Sequence, residues 1–491
     1  MTGGIVGLGD LSFLSRLPRV AAEEARFDTG IVRFQPEIEP LVRFLEDTPR
    51  ERLLEQVGDR LRHGLTYREL VAALLLAGVR NIQPRPVGFK FHAVLVVNSA
   101  HLASISSPES DRWLPIFWAL DYFKSAQEQD AREGDWTMAT VNESKVPTPQ
   151  KARAAFIEAM DSWDEGATDT AVTGLVRTAG ANELFDIFAR FGARDFREIG
   201  HKAIYVANSW RTLQMIGWQH AEPVLRSLAY GLLDRGGDEN PAKADLLADR
   251  PGRQNLARVK TIRPEWQIGQ PSSAAATELL QTLRTASADE ASAKVVELLN
   301  RGVGPQSIWD GIFSAAGELL MRRPGILSLH ALTSANALHF AFQHSGNDET
   351  RRLLLLQNAA FLTLFRGDGE KMKSIRIDQF PPAEAHEGNG PTLEEIFAQL
   401  SRDRMTASRQ ALAYLKKKQQ PHDFINAARR LVFLKGNNSH DYKFSSAVLE
   451  DYQTMSPYSR DRFLAASVFN LRGSGDQDNP LVKRTRAALV G

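Results

Sequence analysis

One apolar helical segment recurs along this chain, and the recurrence restricts the possible folds more than any other feature. Phe91-His92-Ala93 leads to Asn98-Ser99-Ala100-His101, and Leu329-His330-Ala331 leads to Asn336-Ala337-Leu338-His339 at the same offsets. A degenerate copy, Gly200-His201-Lys202-Ala203, leads to Ala207-Asn208-Ser209-Trp210-Arg211, with the histidine one place earlier. Each copy is apolar nearly all round, which marks a helix enclosed by others. After each, a polar link leads to a second helix. Modules of this kind bury their faces against one another. The sequence therefore predicts an all-α protein, an irregular array of helical repeats around a central site. Three modules are degenerate copies and a fourth, C-terminal one diverges. Their uneven spacing excludes a regular TPR or HEAT array.

The modules are expected at 39–130, 150–235, 274–367 and 391–491, in one compact unit after an N-terminal extension at 1–38. Helical periodicity runs from Pro40 to His63, and Thr66-x-x-Glu69 reads as a capping box opening the next helix. Val/Ile runs are short and lack hairpin turns, so no sheet is expected. Two polar excursions interrupt the helices. One at 236–273 carries Pro241, Pro251, Pro264 and Pro271, and one at 367–390 carries Pro381 and Pro382. Loops that long often cover a site.

Sixty basic and 59 acidic residues give a net charge of +1, which argues for no nucleic-acid partner. The chain has no cysteine, which excludes disulfides, thiolate metal sites, iron–sulfur clusters and cysteine nucleophiles. No apolar run reaches the ~18 residues needed to span a bilayer. The first residues lack a basic n-region, so a cytoplasmic location is the default expectation, with an exported form that has lost a leader left open. The oligomeric state is left open too.

Within each full copy the two histidines are nine apart, on opposite sides of an unbroken helix, so only one can face a shared centre. We choose His92, His201 and His330, each early in its segment and, except at His201, beside a small alanine. His101 and His339, replaced by Arg211 in the middle copy, then serve interfaces, and Asn98, Asn208 and Asn336 bridge helices. Near the C-terminus, Asn437, Asn438 and Ser439 are good N-caps for a helix that places His440 and Lys443 on one face of its first turn. A lysine beside a histidine becomes a ligand only when its amine is neutral or has taken up carbon dioxide as a carbamate. Against this stand plain readings, histidines that satisfy buried backbone groups and a solvated lysine. Imidazole and oxygen donors without sulfur suit iron, zinc, nickel or copper.

The pattern Phe91-His92-Ala93 with His101, the stretch from Leu329 to Leu338 followed by Leu353 to Leu362, and His440-x-x-Lys443 with Ser445, Ser446, Ala447 and Glu450 resemble questin oxidase-like proteins. The resemblance covers short stretches of the chain, and the middle copy departs most, its one-place shift leaving Lys202 at the offset of the histidine in the other copies. It implies an all-helical oxygenase that opens anthraquinone-type rings. It also implies a non-haem iron held by histidines and a carboxylated lysine. Carried over residue by residue, the ligands are His92, His201, His330, His440 and Lys443.

The expected activity is a metal-dependent oxygenase using dioxygen on a small aromatic, phenolic or quinone-type molecule. No flavin or nicotinamide is required, and no Gly-x-Gly-x-x-Gly after a strand is present. Trp113, Phe117, Trp118, Trp210 and Trp218 could line a flat pocket or simply fill the core. His220 could donate a proton or replace His201. His63, His344, His386 and His422 sit in polar surroundings and are left out. Two rivals remain: a zinc-type metallohydrolase at the same site, and a non-enzymatic helical scaffold.

Overall fold

The computed structural model describes residues 30–366, 374–384, 390–417 and 421–490. Most of the N-terminal extension, and much of the 367–390 excursion with His386, lie outside these. The described residues form 22 α-helices joined by short 3-10 turns, with isolated β-bridges at Ile31–Ala139 and Gln270–Val303 in place of any sheet. The protein is all-α, as the apolar periodicity predicts. No helix among the described residues is long and apolar enough to cross a membrane.

Four helices form the inner ring. They are His92–Ile105, His201–Ile216, Ile326–His344 and Ser439–Thr454, called below after His92, His201, His330 and His440. The His92 helix packs on the His201 helix, that on the His330 helix, that on the His440 helix, and the last closes the ring on the first. These are the recurring segments, and their all-round apolarity now has its reason. Of the 19 residues in the His330 helix, the 15 from Ser328 to Phe342 are buried. Each ring helix is backed by outer helices. Leu114–Glu133 lies on the His92 helix and Ala181–Gly192 on the His201 helix. Asp348–Arg366 lies on the His330 helix, and Pro421–Lys435 on the His440 helix.

The ring helices run parallel. Their histidines meet at one end, and Asn208, Asn336, Arg211 and Glu450 meet further along. Parallel neighbours need long crossovers, which the outer helices supply.

Two expectations about elements need correction. Pro40 to His63 is two helices, Glu39–Asp47 and Arg50–Arg62. Pro49 has no N–H to donate and holds Thr48 extended, so the helix stops there. The polar stretch 236–273 is no bare loop over a site. It contains the helix Arg250–Arg258, which lies on the outer helices Ala288–Asn300 and Asp348–Arg366. The buried Asn255 amide donates to Gln357 Oε1 at 2.7 Å and ties it down.

Candidate metal centre

The turns that deliver the histidines are unusual. Before His92 the chain passes through Gly88 (φ 135°) and Phe89 (φ 46°), and before His201 through Glu198 (φ 51°), Ile199 (φ 45°) and Gly200 (φ 83°). Left-handed backbone at Phe89, Glu198 and Ile199 is strained, and surrounding structure has to hold it. It turns two carbonyls back on the rings. Phe89 O lies 2.8 Å from His92 Nδ1, and Glu198 O lies 2.6 Å from His201 Nδ1. In the third helix Ile326 O lies 2.7 Å from His330 Nδ1. A carbonyl only accepts, so each Nδ1 carries the proton and each Nε2 presents a lone pair.

Those lone pairs converge. His201 Nε2 is 3.0 Å from His92 Nε2 and 2.9 Å from His330 Nε2. Ring contacts continue from His92 and from His330 to His440, so the imidazoles stand as a square with His201 and His440 on one diagonal. Ligand nitrogens of His92, His330 and His440 lie within 4.8 Å of one another. Burial holds His92, His201 and His330 well below the ordinary imidazole pKa, with the Lys443 charge adding to it. Burial likewise takes His440 down to about 3. Four helix N-termini facing one centre further disfavour an added proton.

Neutral rings with lone pairs face to face at 3 Å repel unless something electron-poor lies between them. A metal ion fits this donor set. At metal–nitrogen distances of 2.0–2.1 Å, two ligands at a right angle are about 2.9 Å apart, and tetrahedral ones about 3.4 Å. The two edges from His201 Nε2, to His92 Nε2 and to His330 Nε2, have the right-angle spacing.

Lys443 lies one turn below His440. Its Nζ is buried with no hydrogen-bond partner, and burial lowers its pKa to about 7. It lines the small cavity between the ring helices, with Asn98, Asn208, Asn336 and Glu450. Its charge acts on all four histidines, so the amine stands against the cluster. Asn438 caps this helix as expected, its Oδ1 accepting from His440 N and Asp441 N.

The structure thus brings His92, His201, His330, His440 and Lys443 together and leaves others outside. Lys202 is turned away, its ammonium held by Asp195 at 2.9 and 3.0 Å, so the one-place shift leaves His201 in register. His220 stands past the opposite end of the His201 helix, roughly 20 Å along its axis, and so neither replaces His201 nor donates a proton here. His101 pairs with the Tyr67 hydroxyl, and His339 packs among Trp309 and Phe313, both as interface residues. The aromatics pack against one another. Trp118 stacks on Tyr442, Trp113 lies tilted against Tyr67, and Trp210 meets Trp218 edge-on.

A second polar layer lies below. Asn208 Nδ2 donates to Leu95 O at 2.8 Å. Asn336 Nδ2 donates to Glu450 Oε2 and Asp451 Oδ1, and Arg211 bonds Asn336 and Glu450. Burial raises the Asp451 pKa well above the carboxylate range, with Glu450 adding to it, and Asp451 Oδ2 is unpaired. The folded protein therefore keeps a proton at Asp451 that the unfolded chain releases near pH 4, and the contribution of this group to stability falls as pH rises from there. Asp451→Asn mimics the protonated carboxyl. The depressed histidines make both proteins more stable as pH rises towards 6.5, so the readout is the difference: urea melts between pH 4 and 8 are expected to show the wild type losing stability relative to Asp451→Asn as pH rises.

Gly200 is a checkpoint for the geometry. A Cβ there would lie 2.7 Å from Ser334 Cβ of the His330 helix, at a φ of 83°. Gly200→Ala is expected to cost roughly 3 kcal/mol in a denaturant melt and to weaken metal retention, by prising His201 from His330.

Fold and site together define an all-α protein with a candidate imidazole-lined metal centre. Comparison with protein-family models, with curated proteins and with solved structures finds no match for the chain.

Proposed function

We propose that the chain is a mononuclear non-haem iron oxygenase acting on an electron-rich phenolic or quinone-type ring. The ion would be held by His92, His201, His330 and His440, with Lys443 as its carbamate completing the cage. The observation that carries this reading is the right-angle convergence of imidazole lone pairs whose tautomers are fixed by backbone carbonyls. Imidazole donors with one oxygen donor and no sulfur suit iron as well as zinc, nickel or copper. The resemblance to questin oxidase-like proteins adds the oxygenase class.

A bound iron supplies the redox chemistry that lets dioxygen react with such a ring. In a ring opening, a carbon–carbon bond breaks and both oxygen atoms enter the product, so the substrate is the only electron source needed. The residues do the rest. Phe89, Glu198 and Ile326 carbonyls keep three rings from rotating. Lys443, neutral above about pH 7, attacks carbon dioxide, its N–C bond forming as a proton leaves to solvent.

The test is elemental analysis of protein purified without chelators, followed by oxygen uptake with a hydroquinone. About one equivalent of iron and substrate-dependent uptake are expected. Zinc with no uptake would turn the reading to a hydrolase, and absence of any transition metal would leave a scaffold.

A further inference from the structure

The cavity in front of His440 is where a substrate would meet the cluster, and its chemistry narrows what that substrate is. It has a volume of about 210 Å³ and lies between the start of the His330 helix, the start of the His440 helix and the segment Asn470–Arg472. His440 belongs to both places. One side of its ring lines the cavity, and the other meets His92 and His330.

Two of the polar side chains around the cavity have donors that no described residue uses. Arg404 is exposed at the rim, and no described residue pairs with its guanidinium. Asn470 Nδ2 is buried without a partner. Arg472 binds Asp441 through Nε at 3.1 Å and Nη2 at 2.7 Å. The one lining carboxylate is therefore spent. Its Oδ2 also accepts from Asn437 N and Asn438 N. With Arg472 and Asp441 cancelling each other, the balance among the described residues is one free guanidinium, Arg404, and one unused amide donor, Asn470 Nδ2. Ile326, Leu329 and Leu471 supply an apolar wall beside them.

We propose that this cavity recognises an organic anion, a single aromatic ring carrying a carboxylate, held by Arg404 and the Asn470 amide with its ring against the apolar wall. Arg–carboxylate pairing is the strongest donor match available to such a site. The volume sits below the usual range for drug-sized ligands, so one ring fits better than three fused ones. The inference rests on the oxygenase reading only in calling this molecule the substrate. The recognition itself needs no ion.

The test uses chelator-treated full-length protein, so that no ion can grip the carboxylate. Calorimetric titration compares 4-hydroxybenzoate with 4-hydroxybenzamide, which has the same shape and no charge. The acid is expected to bind at least about tenfold tighter, and Arg404→Gln to erase that preference without changing amide binding. Arg404→Gln is also expected to keep the wild-type metal content. Equal affinity for acid and amide, absence of acid binding at millimolar concentration, or an unchanged preference in Arg404→Gln each overturns the proposal. Loss of metal in Arg404→Gln also overturns it, by placing that residue in the metal cage. Absence of iron in the wild type, with acid preference intact, defeats the oxygenase reading and leaves the anion site standing.

Discussion

Protein carrying His330→Ala is expected to retain less than about a tenth of an equivalent of metal, with its helical circular dichroism unchanged. His330 Nε2 lies 2.9 Å from His201 Nε2, and its ring touches His440, so its loss removes a corner that two others lean on. Groups that merely orient a ligand cost 10–100-fold in metal affinity, so a ligand itself costs more, at least about a hundredfold. The measurement is metal content after gel filtration. A thermal melt adds a second readout. An ion present at a thousand times its Kd adds about 4 kcal/mol to stability, so a chelator should lower the wild-type Tm by several degrees and leave the variant unmoved. Full metal content in His330→Ala would move the centre away from these imidazoles altogether.

Lys443→Met is expected to move stability and function in opposite directions. The amine is buried, unpaired and held near pH 7 by burial, against an ordinary value of 10.5. The unfolded chain keeps its proton up to about 10.5, so between pH 7 and 10.5 unfolding takes up a proton and stability rises with pH. Below pH 7 both states carry the proton and the whole cost of burying the charge remains, roughly 5 kcal/mol for a displacement of that size. Methionine has a similar reach and no charge, so the chelated variant should be several kcal/mol more stable at pH 6.5. Its stability should also lose the rise between pH 7 and 10. Metal retention should weaken, and its dependence on added bicarbonate should vanish. A variant with the wild-type pH slope would remove Lys443 from the buried position on which its role depends.

The helical character and the four ring helices were legible because their signal is local. Full enclosure leaves an apolar circumference, and close packing leaves His-Ala and Asn at fixed offsets. Helix phase allowed only one histidine of each pair to face a centre, an early position and a neighbouring alanine pointed to His92 and His330, and these two lie at the cluster. Two of the three carbonyls that set the tautomers were hidden, because they depend on left-handed backbone at Phe89, Glu198 and Ile199, residues with no preference for it. The Arg211–Asn336–Glu450 layer was hidden as well. It joins residues more than a hundred positions apart, and no single-sequence pattern fixes which helix faces which. The donors at Arg404, Asn470 and Arg472 carry no periodicity at all. The break at Thr48-Pro49 was readable from the proline, yet the apolar spacing runs through it and masked it.

The corners of the square come from positions 92, 201, 330 and 440, one from each quarter of the folded chain. An ion held there would be a record of completed folding. A nascent chain that has emerged only as far as residue 400 owns three corners and lacks the fourth, and a chain with one quarter misdocked owns fewer. Loop closure over such separations is slow, so the ion would arrive last, in a structure already assembled. Metal occupancy would then report, molecule by molecule, which copies of this protein have finished.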